Sequence, residues 1–131
     1  MMLDWNDYRK QLVAGVEEIG QLSPETIKGY VALSAAGQKT DLLGAKVREL
    51  IALAVAVSLR CDGCITVHTE AAIKRGATRE EIAEALGVAA TVNAGAALVY
   101  SARVMDAFNE YPGAASPRET DSIATSVRPH S

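Results

Sequence analysis

The chain has two cysteines, Cys61 and Cys64, three residues apart, with His68 four residues after the second and Glu49 twelve residues before the first. Residues at positions i, i+3 and i+7 lie along one stripe of an α-helix. Cys61, Cys64 and His68 therefore share a face if the segment after the first cysteine is helical. Two thiols, an imidazole and a carboxylate are the groups that nucleophilic thiol chemistry requires.

Cys64 is the cysteine that this arrangement favours as the attacking residue. A cysteine reacts as its thiolate, and the ordinary thiol pKa of about 8.5 leaves it mostly protonated at neutral pH. A helix that begins near Asp62 would hold Cys64 in its first turn, where unpaired N–H groups favour negative charge. His68, one turn further, can take the thiol proton, while Glu49 orients the imidazole. Cys61 would then be the resolving partner.

Glu49 and His68 can meet only if the chain reverses between them. An uninterrupted helix would hold Glu49 about 18 Å from Cys61, which is too far for contact. The pair Asp62-Gly63 is a natural turn, and an antiparallel helical hairpin through it would return His68 to the level of Glu49. We therefore predict a contact between these two side chains across the hairpin.

A thiolate in this setting can attack the O–O bond of a hydroperoxide, giving a sulfenic acid on Cys64 that Cys61 condenses into a disulfide. Other sites share the CxxC pattern. The two cysteines with His68 and Glu49 are also a possible zinc set, although structural zinc sites usually have Cys or His in all four positions. A general thiol–disulfide oxidoreductase and a non-enzymatic helical assembly module are further alternatives. Our reading includes no metal and no cofactor.

Composition limits the partners and the compartment. A formal net charge of −3 and a pI near 5.4 give no reason to expect nucleic acid or an anionic membrane. The N-terminus has acidic residues and no apolar segment of the kind that a signal peptide needs. The longest wholly apolar run, residues 50–57, is far below the ~20 residues that span a bilayer. We therefore expect a cytoplasmic protein, in which a CxxC is catalytic or binds metal rather than serving as a structural staple.

Helix-capping signals predict the elements before the motif. Ser23-Pro24-Glu25 reads as an N-cap, a proline at the first helical position and an acid in the first turn, and Gly37 would end this helix. Thr40-Asp41 would cap a helix with its body at residues 46–58. That body is polar only at its ends, so we expect a central helix that is buried nearly all round.

Further signals predict the elements after the motif. Gly76 is placed to end the helix that carries His68, and Thr78-Arg79-Glu80-Glu81 is a capping box that begins the next. Asn93-Ala94-Gly95 would break the chain before a last helix through Phe108.

The domain prediction is one helical domain over residues 1–110, followed by a flexible tail over residues 111–131 that holds three of the four prolines. Aromatic residues make up only 5% of a chain that is 49% hydrophobic, so the core must be built from Ala, Leu, Val and Ile. An Ala- and Leu-rich chain of this size must also cover its apolar faces. We predict an all-α fold of about six helices that forms homo-oligomers.

The pattern Glu49-x11-Cys61-x2-Cys64-x3-His68, followed by the segment RGATREEIAEAL, resembles the AhpD-like alkylhydroperoxidases of the carboxymuconolactone decarboxylase family. The resemblance covers residues 42–98. It implies an all-helical trimer or hexamer that reduces organic hydroperoxides, with electrons from a dithiol or a lipoylated protein. It also implies Cys64 as the peroxidatic cysteine, Cys61 as the resolving one, and Glu49 and His68 in the proton relay.

One position departs from the pattern of that family. Gly63 stands where the best-studied form of the motif has a histidine just before the second cysteine. A water molecule or Asp62 would have to substitute for it in the relay. The decarboxylase branch of the family lacks the cysteine pair, which makes lactone decarboxylation the weaker prediction.

Overall fold

The structure, a computed structural model, describes residues 1–114 and contains there five α-helices and no strand. The helices are α1 (Trp5–Leu22), α2 (Pro24–Thr40), α3 (Ala45–Leu59), α4 (Asp62–Lys74) and α5 (Arg79–Glu110). The all-α prediction is confirmed, with one helix fewer than the expected six among the described residues.

The missing helix boundary is the break predicted at Asn93-Ala94-Gly95, which does not occur. The helix α5 continues through it for 32 residues. The Asn93 side-chain amide donates 2.7 Å hydrogen bonds to the carbonyl oxygen of Ala89, one turn earlier, and to the Ser58 hydroxyl on α3. The bond to Ser58 holds the Asn93 side chain against α3. Gly95 alone costs a helix interior only about 1 kcal/mol, so the helix continues.

The chain divides into two compact units within α5. The first, residues 1–94, contains α1 to α4 and the first half of α5; the second begins at Gly95 with the remainder of α5. This second unit continues past the helix into a turn over residues 111–114, where Gly113 has a φ of +89°. The predicted domain boundary at residue 110 stays a prediction, since most of the proposed tail, residues 115–131, lies outside the described residues.

The junction between α2 and α3 differs from the prediction. Ser23 and Pro24 begin α2 as expected. The helix then passes Gly37 and ends at Thr40. Its C-cap, Asp41, has a left-handed φ of 45°, and the Asp41 backbone N–H donates to the Gly37 carbonyl. Asp41 thus caps the end of α2 instead of starting α3, and its carboxylate accepts a 2.7 Å hydrogen bond from Arg48. The residue that precedes α3 is Gly44, which has a φ of +81°.

The antiparallel pair of α3 and α4 carries the motif, and its turn also differs in position. Arg60 adopts a left-handed φ of 54° and reverses the chain, while Asp62 and Gly63, predicted as the turn, are the first two residues of α4. The backbone N–H of Cys61 donates to the Ala56 carbonyl at 3.0 Å, which closes the end of α3. The reversal is therefore two residues earlier than the Asp-Gly signal suggested.

The buried core is small and is built mostly from alanine on α3, α4 and the first half of α5. The buried apolar residues are Leu53, Ala56, Ala72 and Ala89. The expectation that α3 is buried nearly all round is wrong for the described chain. Ile51, Val55 and Leu59 form a stripe on α3 and are 48%, 50% and 72% exposed. One apolar face of α3 therefore lies open.

The predicted capping box at the start of α5 is confirmed. The backbone N–H of Glu81 donates to the Thr78 hydroxyl at 3.0 Å, and the Thr78 N–H donates to the Glu81 carboxylate at 3.1 Å. Lys46 of α3 also reaches this carboxylate, at 2.7 Å. The Lys46 hydrogen bond, with that of the Thr78 backbone, holds the pKa of Glu81 below its ordinary value. Gly76, with a φ of +84°, follows the end of α4 as predicted.

The N-terminal helix α1 packs against α4. Asp4 caps it by accepting the backbone N–H of Asp7 at 3.1 Å. Its half-buried residues follow the i, i+3, i+4, i+7 pattern of one helix face: Trp5, Tyr8, Arg9 and Leu12. Arg9 forms an ion pair with Glu70 of α4. This face fixes α1 alongside the helix that begins with the cysteines.

By length and composition, α5 is long and apolar enough to cross a membrane. An 18-residue window of this helix has a mean hydropathy of 1.6, and 6% of that window is buried. The helix contains no long wholly apolar run because Gly, Thr, Asn and Ser interrupt it without adding charge. A single helix of this kind is weak grounds for a membrane assignment. The prediction of no membrane partner stays a prediction.

Candidate active site

The two cysteines lie at the N-terminus of α4 and form a disulfide, with their Cα atoms 5.3 Å apart. Cys61 is the N-cap residue, in an extended conformation, and Asp62 begins the helix as predicted. The backbone N–H of Cys64 donates a hydrogen bond to the Cys61 sulfur at 3.2 Å. The cap that Ser, Thr or Asp usually provides is here a sulfur atom, so the unpaired N–H groups of the first turn act on the thiol chemistry directly.

The predicted contact between Glu49 and His68 is present. The imidazole Nδ1 and a carboxylate oxygen of Glu49 lie 2.7 Å apart across the α3–α4 hairpin. Both side chains are largely covered, with 30% of His68 and 22% of Glu49 exposed. With Nδ1 donating to the carboxylate, Nε2 is the ring nitrogen that can accept a proton from elsewhere.

One face of α4 gathers the candidate groups. Cys61, Cys64 and His68 follow the i, i+3, i+7 spacing within or at the start of a regular helix, and the Glu49 contact shows that this face turns toward α3. Side chains four residues apart on a helix are neighbours, with Cβ atoms about 6 Å apart. The imidazole is thus one turn from the Cys64 sulfur and is held there by the carboxylate.

A cavity of about 660 Å³ lies between α1 and α4. Its lining residues on α4 include Ile65, Thr69 and Ile73. At about 100° per residue, Ile73 points about 180° away from Cys64 around the helix axis. The cavity therefore lies mainly on the side of α4 opposite the stripe of Cys64 and His68.

The zinc alternative concerns the reduced cysteines, which form a disulfide in this structure. Within residues 1–114, no group of three or more His, Cys, Asp and Glu side chains is placed to hold a metal ion. A carboxylate oxygen of Glu49 is engaged by His68, and the two sulfur atoms are engaged with each other.

The contribution of α1 to this region was missed by sequence reasoning. A Cβ atom at Gly63 would lie 3.0 Å from Cδ2 of Leu12, so the leucine fills the space beside the second residue of α4. The spacing of Trp5, Tyr8, Arg9 and Leu12 does indicate that one face of α1 packs against another element. Spacing alone does not say which helix that face covers.

Comparison with known proteins decides the family. The profile of the carboxymuconolactone decarboxylase family matches residues 24–107. The chain belongs to this family. Its all-helical fold and its motif of Glu49, Cys61, Cys64 and His68 make it an AhpD-like member.

Two sequence relatives and one solved structure are similar to this chain over most of its length. An uncharacterized protein of Haemophilus influenzae is 44% identical over 109 residues, which is 83% of this chain and 96% of that protein. A protein of Paracoccus denitrificans described as uncharacterized protein 4 in the cox locus is 34% identical over 77% of this chain and 91% of its own length. The crystal structure of an apo carboxymuconolactone decarboxylase family protein from Legionella pneumophila superposes with a TM-score of 0.65 at 36% identity, covering 81% of this chain and 95% of that one.

Proposed function

We propose that this protein is a thiol-dependent peroxidase that reduces organic hydroperoxides through a sulfenic acid and disulfide cycle of Cys64 and Cys61. The observation that carries the proposal is the Cys61–Cys64 disulfide at the start of α4, with His68 on the same helix face and paired with Glu49 of α3. Membership of a family that includes alkylhydroperoxidases is compatible with it. Each of the four side chains then has a distinct task.

The first step is the attack of Cys64 on the peroxide. His68 takes the thiol proton, and the thiolate attacks the distal oxygen of ROOH, so that an S–O bond forms as the O–O bond breaks. The proton on His68 passes to the leaving alkoxide, which departs as ROH. Cys64 is then a sulfenic acid and the peroxide has been reduced by two electrons. Glu49 keeps the imidazole aimed at the reacting atoms and stabilises its protonated form.

The second step closes the disulfide and sets up its reduction. The Cys61 thiol attacks the Cys64 sulfur, and the hydroxyl of the sulfenic acid leaves as water with the proton from Cys61. An external dithiol, free or on a lipoylated protein, then donates two electrons and two protons to regenerate both thiols. The hydrogen bond from the Cys64 N–H stabilises Cys61 as a leaving thiolate, so we expect the reductant to attack Cys64.

A general thiol–disulfide oxidoreductase is the second candidate function. The capping hydrogen bond on the Cys61 sulfur favours it, because disulfide exchange needs a stabilised leaving thiolate and no peroxide. Turnover separates the two candidates. With excess dithiol, a peroxidase consumes an organic hydroperoxide continuously. An exchange enzyme instead reduces a disulfide substrate, and peroxide is then consumed no faster than by the dithiol without protein.

We also propose that copies of this chain assemble through their open apolar surfaces. Besides the α3 stripe, the second half of α5 exposes Leu98, Val99, Val104 and Met105 by 60% or more each. Large exposed apolar patches are rare on monomeric soluble proteins, so side chains as open as these favour an interface. Assembly through helix faces would cover it within a cytoplasmic protein, without recourse to a bilayer.

Sedimentation tests the assembly. We expect analytical ultracentrifugation of the detergent-free protein at micromolar concentration to give a mass of three or six chains. Replacing Leu98 and Val104 by Glu should shift that mass toward the 13.8 kDa of one chain, because a buried charge in such an interface is costly. Glu in place of Ala90, an exposed α5 residue, is the comparison variant. A monomeric sedimentation coefficient for the wild type across this range would refute the proposal.

A further inference from the structure

The helix α1 lies outside the part of the chain that the family profile matches, residues 24–107. It nevertheless packs on α4, with the half-buried face of Trp5, Tyr8, Arg9 and Leu12. Along this face the two helices run in opposite directions: Arg9 pairs with Glu70, and Leu12, one turn later in α1, reaches Gly63, two turns earlier in α4. The contact of α1 with α4 thus ends at the first turn of the helix that carries the cysteines.

Leu12 and Gly63 fit each other closely. A Cβ atom at residue 63 would be 3.0 Å from Cδ2 and 3.4 Å from Cδ1 of Leu12, tighter than ordinary van der Waals contact. Gly63 lies in the helix, so no left-handed conformation requires glycine there. The close approach of Leu12 is the physical reason for a residue without a side chain at this position. A side chain at residue 63 would therefore require Leu12 to shift.

The first turn of α4 is where water would weaken the thiol chemistry. Its unpaired N–H groups act on the Cys61 sulfur, and one of them, that of Cys64, is hydrogen-bonded to it. Water beside that turn competes for these groups and screens their field. An apolar side chain packed on Gly63 keeps water from one side of the turn and holds the turn in position.

We propose that Leu12 is a positioning residue for the CxxC pair, which acts by covering the first turn of α4. The helix outside the family profile thereby tunes how readily the disulfide is reduced. The proposal rests on the proposed function only in taking the cysteines as a redox pair. It requires no reaction with peroxide.

The direct test is the redox equilibrium of the protein with a small dithiol such as dithiothreitol. In Leu12→Ala we expect the disulfide form to be favoured by about threefold over the wild type, since the reduced form loses part of its thiolate stabilisation. Leu12→Met should restore wild-type behaviour because it keeps the apolar cover. Leu22→Ala removes the same atoms from a residue of α1 that is 81% exposed and should change nothing. An unchanged or oppositely shifted equilibrium in Leu12→Ala would overturn the proposal.

A double-mutant cycle tests the contact itself and does not depend on redox chemistry. Alanine has a higher helix propensity than glycine, so Gly63→Ala should stabilise α4 wherever there is room for the methyl group. We expect Gly63→Ala to raise the thermal unfolding midpoint more in the Leu12→Ala background than in the wild type. Equal shifts in both backgrounds would show that Leu12 does not occupy this space. If both tests give the expected results but the protein consumes no peroxide, the role of Leu12 stands and the proposed peroxidase function is wrong.

Discussion

Replacing Cys64 by Ser is expected to abolish peroxide turnover, whereas replacing Cys61 by Ser should leave a single round of peroxide reduction. Without the Cys64 sulfur no S–O bond forms next to His68. Without Cys61 the bond forms, but no neighbouring thiol condenses with the sulfenic acid. The difference between the variants assigns the attacking and resolving roles, which the disulfide alone does not distinguish.

We expect Cys61→Ser to preserve the start of α4, so that it can be compared directly with Cys64→Ser. Residue 61 is the N-cap of α4, and serine is among the best N-cap residues, so Cys61→Ser keeps the helix start. Mass spectrometry after one equivalent of hydroperoxide and a dimedone trap should find a sulfenic acid adduct on Cys64 in Cys61→Ser and none in Cys64→Ser. An adduct on Cys61 in Cys64→Ser, together with no peroxide reduction at all in Cys61→Ser, would reverse the roles.

Removing the imidazole is the second change with a large expected effect. In His68→Ala, the reaction of the reduced protein with an organic hydroperoxide at pH 7 should slow by about 10²- to 10⁴-fold, the usual contribution of a general acid–base group. Glu49→Gln should cause a smaller loss, because the amide can still hold the ring but carries no charge to stabilise its protonated form. Stopped-flow measurement of peroxide loss under single-turnover conditions gives both values.

The pH dependence separates a chemical role of His68 from a structural one. As the pH rises past the ordinary cysteine pKa of about 8.5, the thiol ionises without help from His68. The difference in peroxide reaction rate between wild type and His68→Ala should therefore become smaller. Glu84→Gln, an exposed glutamate of α5, controls for the loss of a carboxylate. If His68→Ala reacts more slowly than the wild type by the same factor at every pH and also unfolds at a lower temperature, His68 only supports the fold.

Local signals in the sequence predicted a large part of the fold. The capping box of Thr78 and Glu81 and the start of α2 at Pro24 depend on residues within one turn of each other, so the sequence pattern contains the interaction. The Glu49–His68 contact was also predictable, since helix rise and the need for a reversal leave few arrangements.

The predictions that failed share a physical cause. At each of these positions, contacts between helices determine the backbone conformation, and the local sequence does not. Asp62-Gly63 is typical both of a turn and of a first helical turn, and the left-handed Arg60 that makes the reversal has no sequence signal. Asn93 would break an isolated helix, but here it bonds to Ser58 on another helix. The contact of Leu12 with the site depends on how α1 packs against α4, which the spacing of one helix face does not specify.

The measurement that tests the central claim most directly is single-turnover consumption of a small organic hydroperoxide by the fully reduced protein, with free thiols counted before and after. We predict the loss of about two thiols per chain and one equivalent of peroxide, at a rate far above that of free cysteine. Peroxide loss no faster than with free cysteine, with both thiols retained, would contradict the peroxidase account and leave disulfide exchange as the better explanation of the CxxC pair.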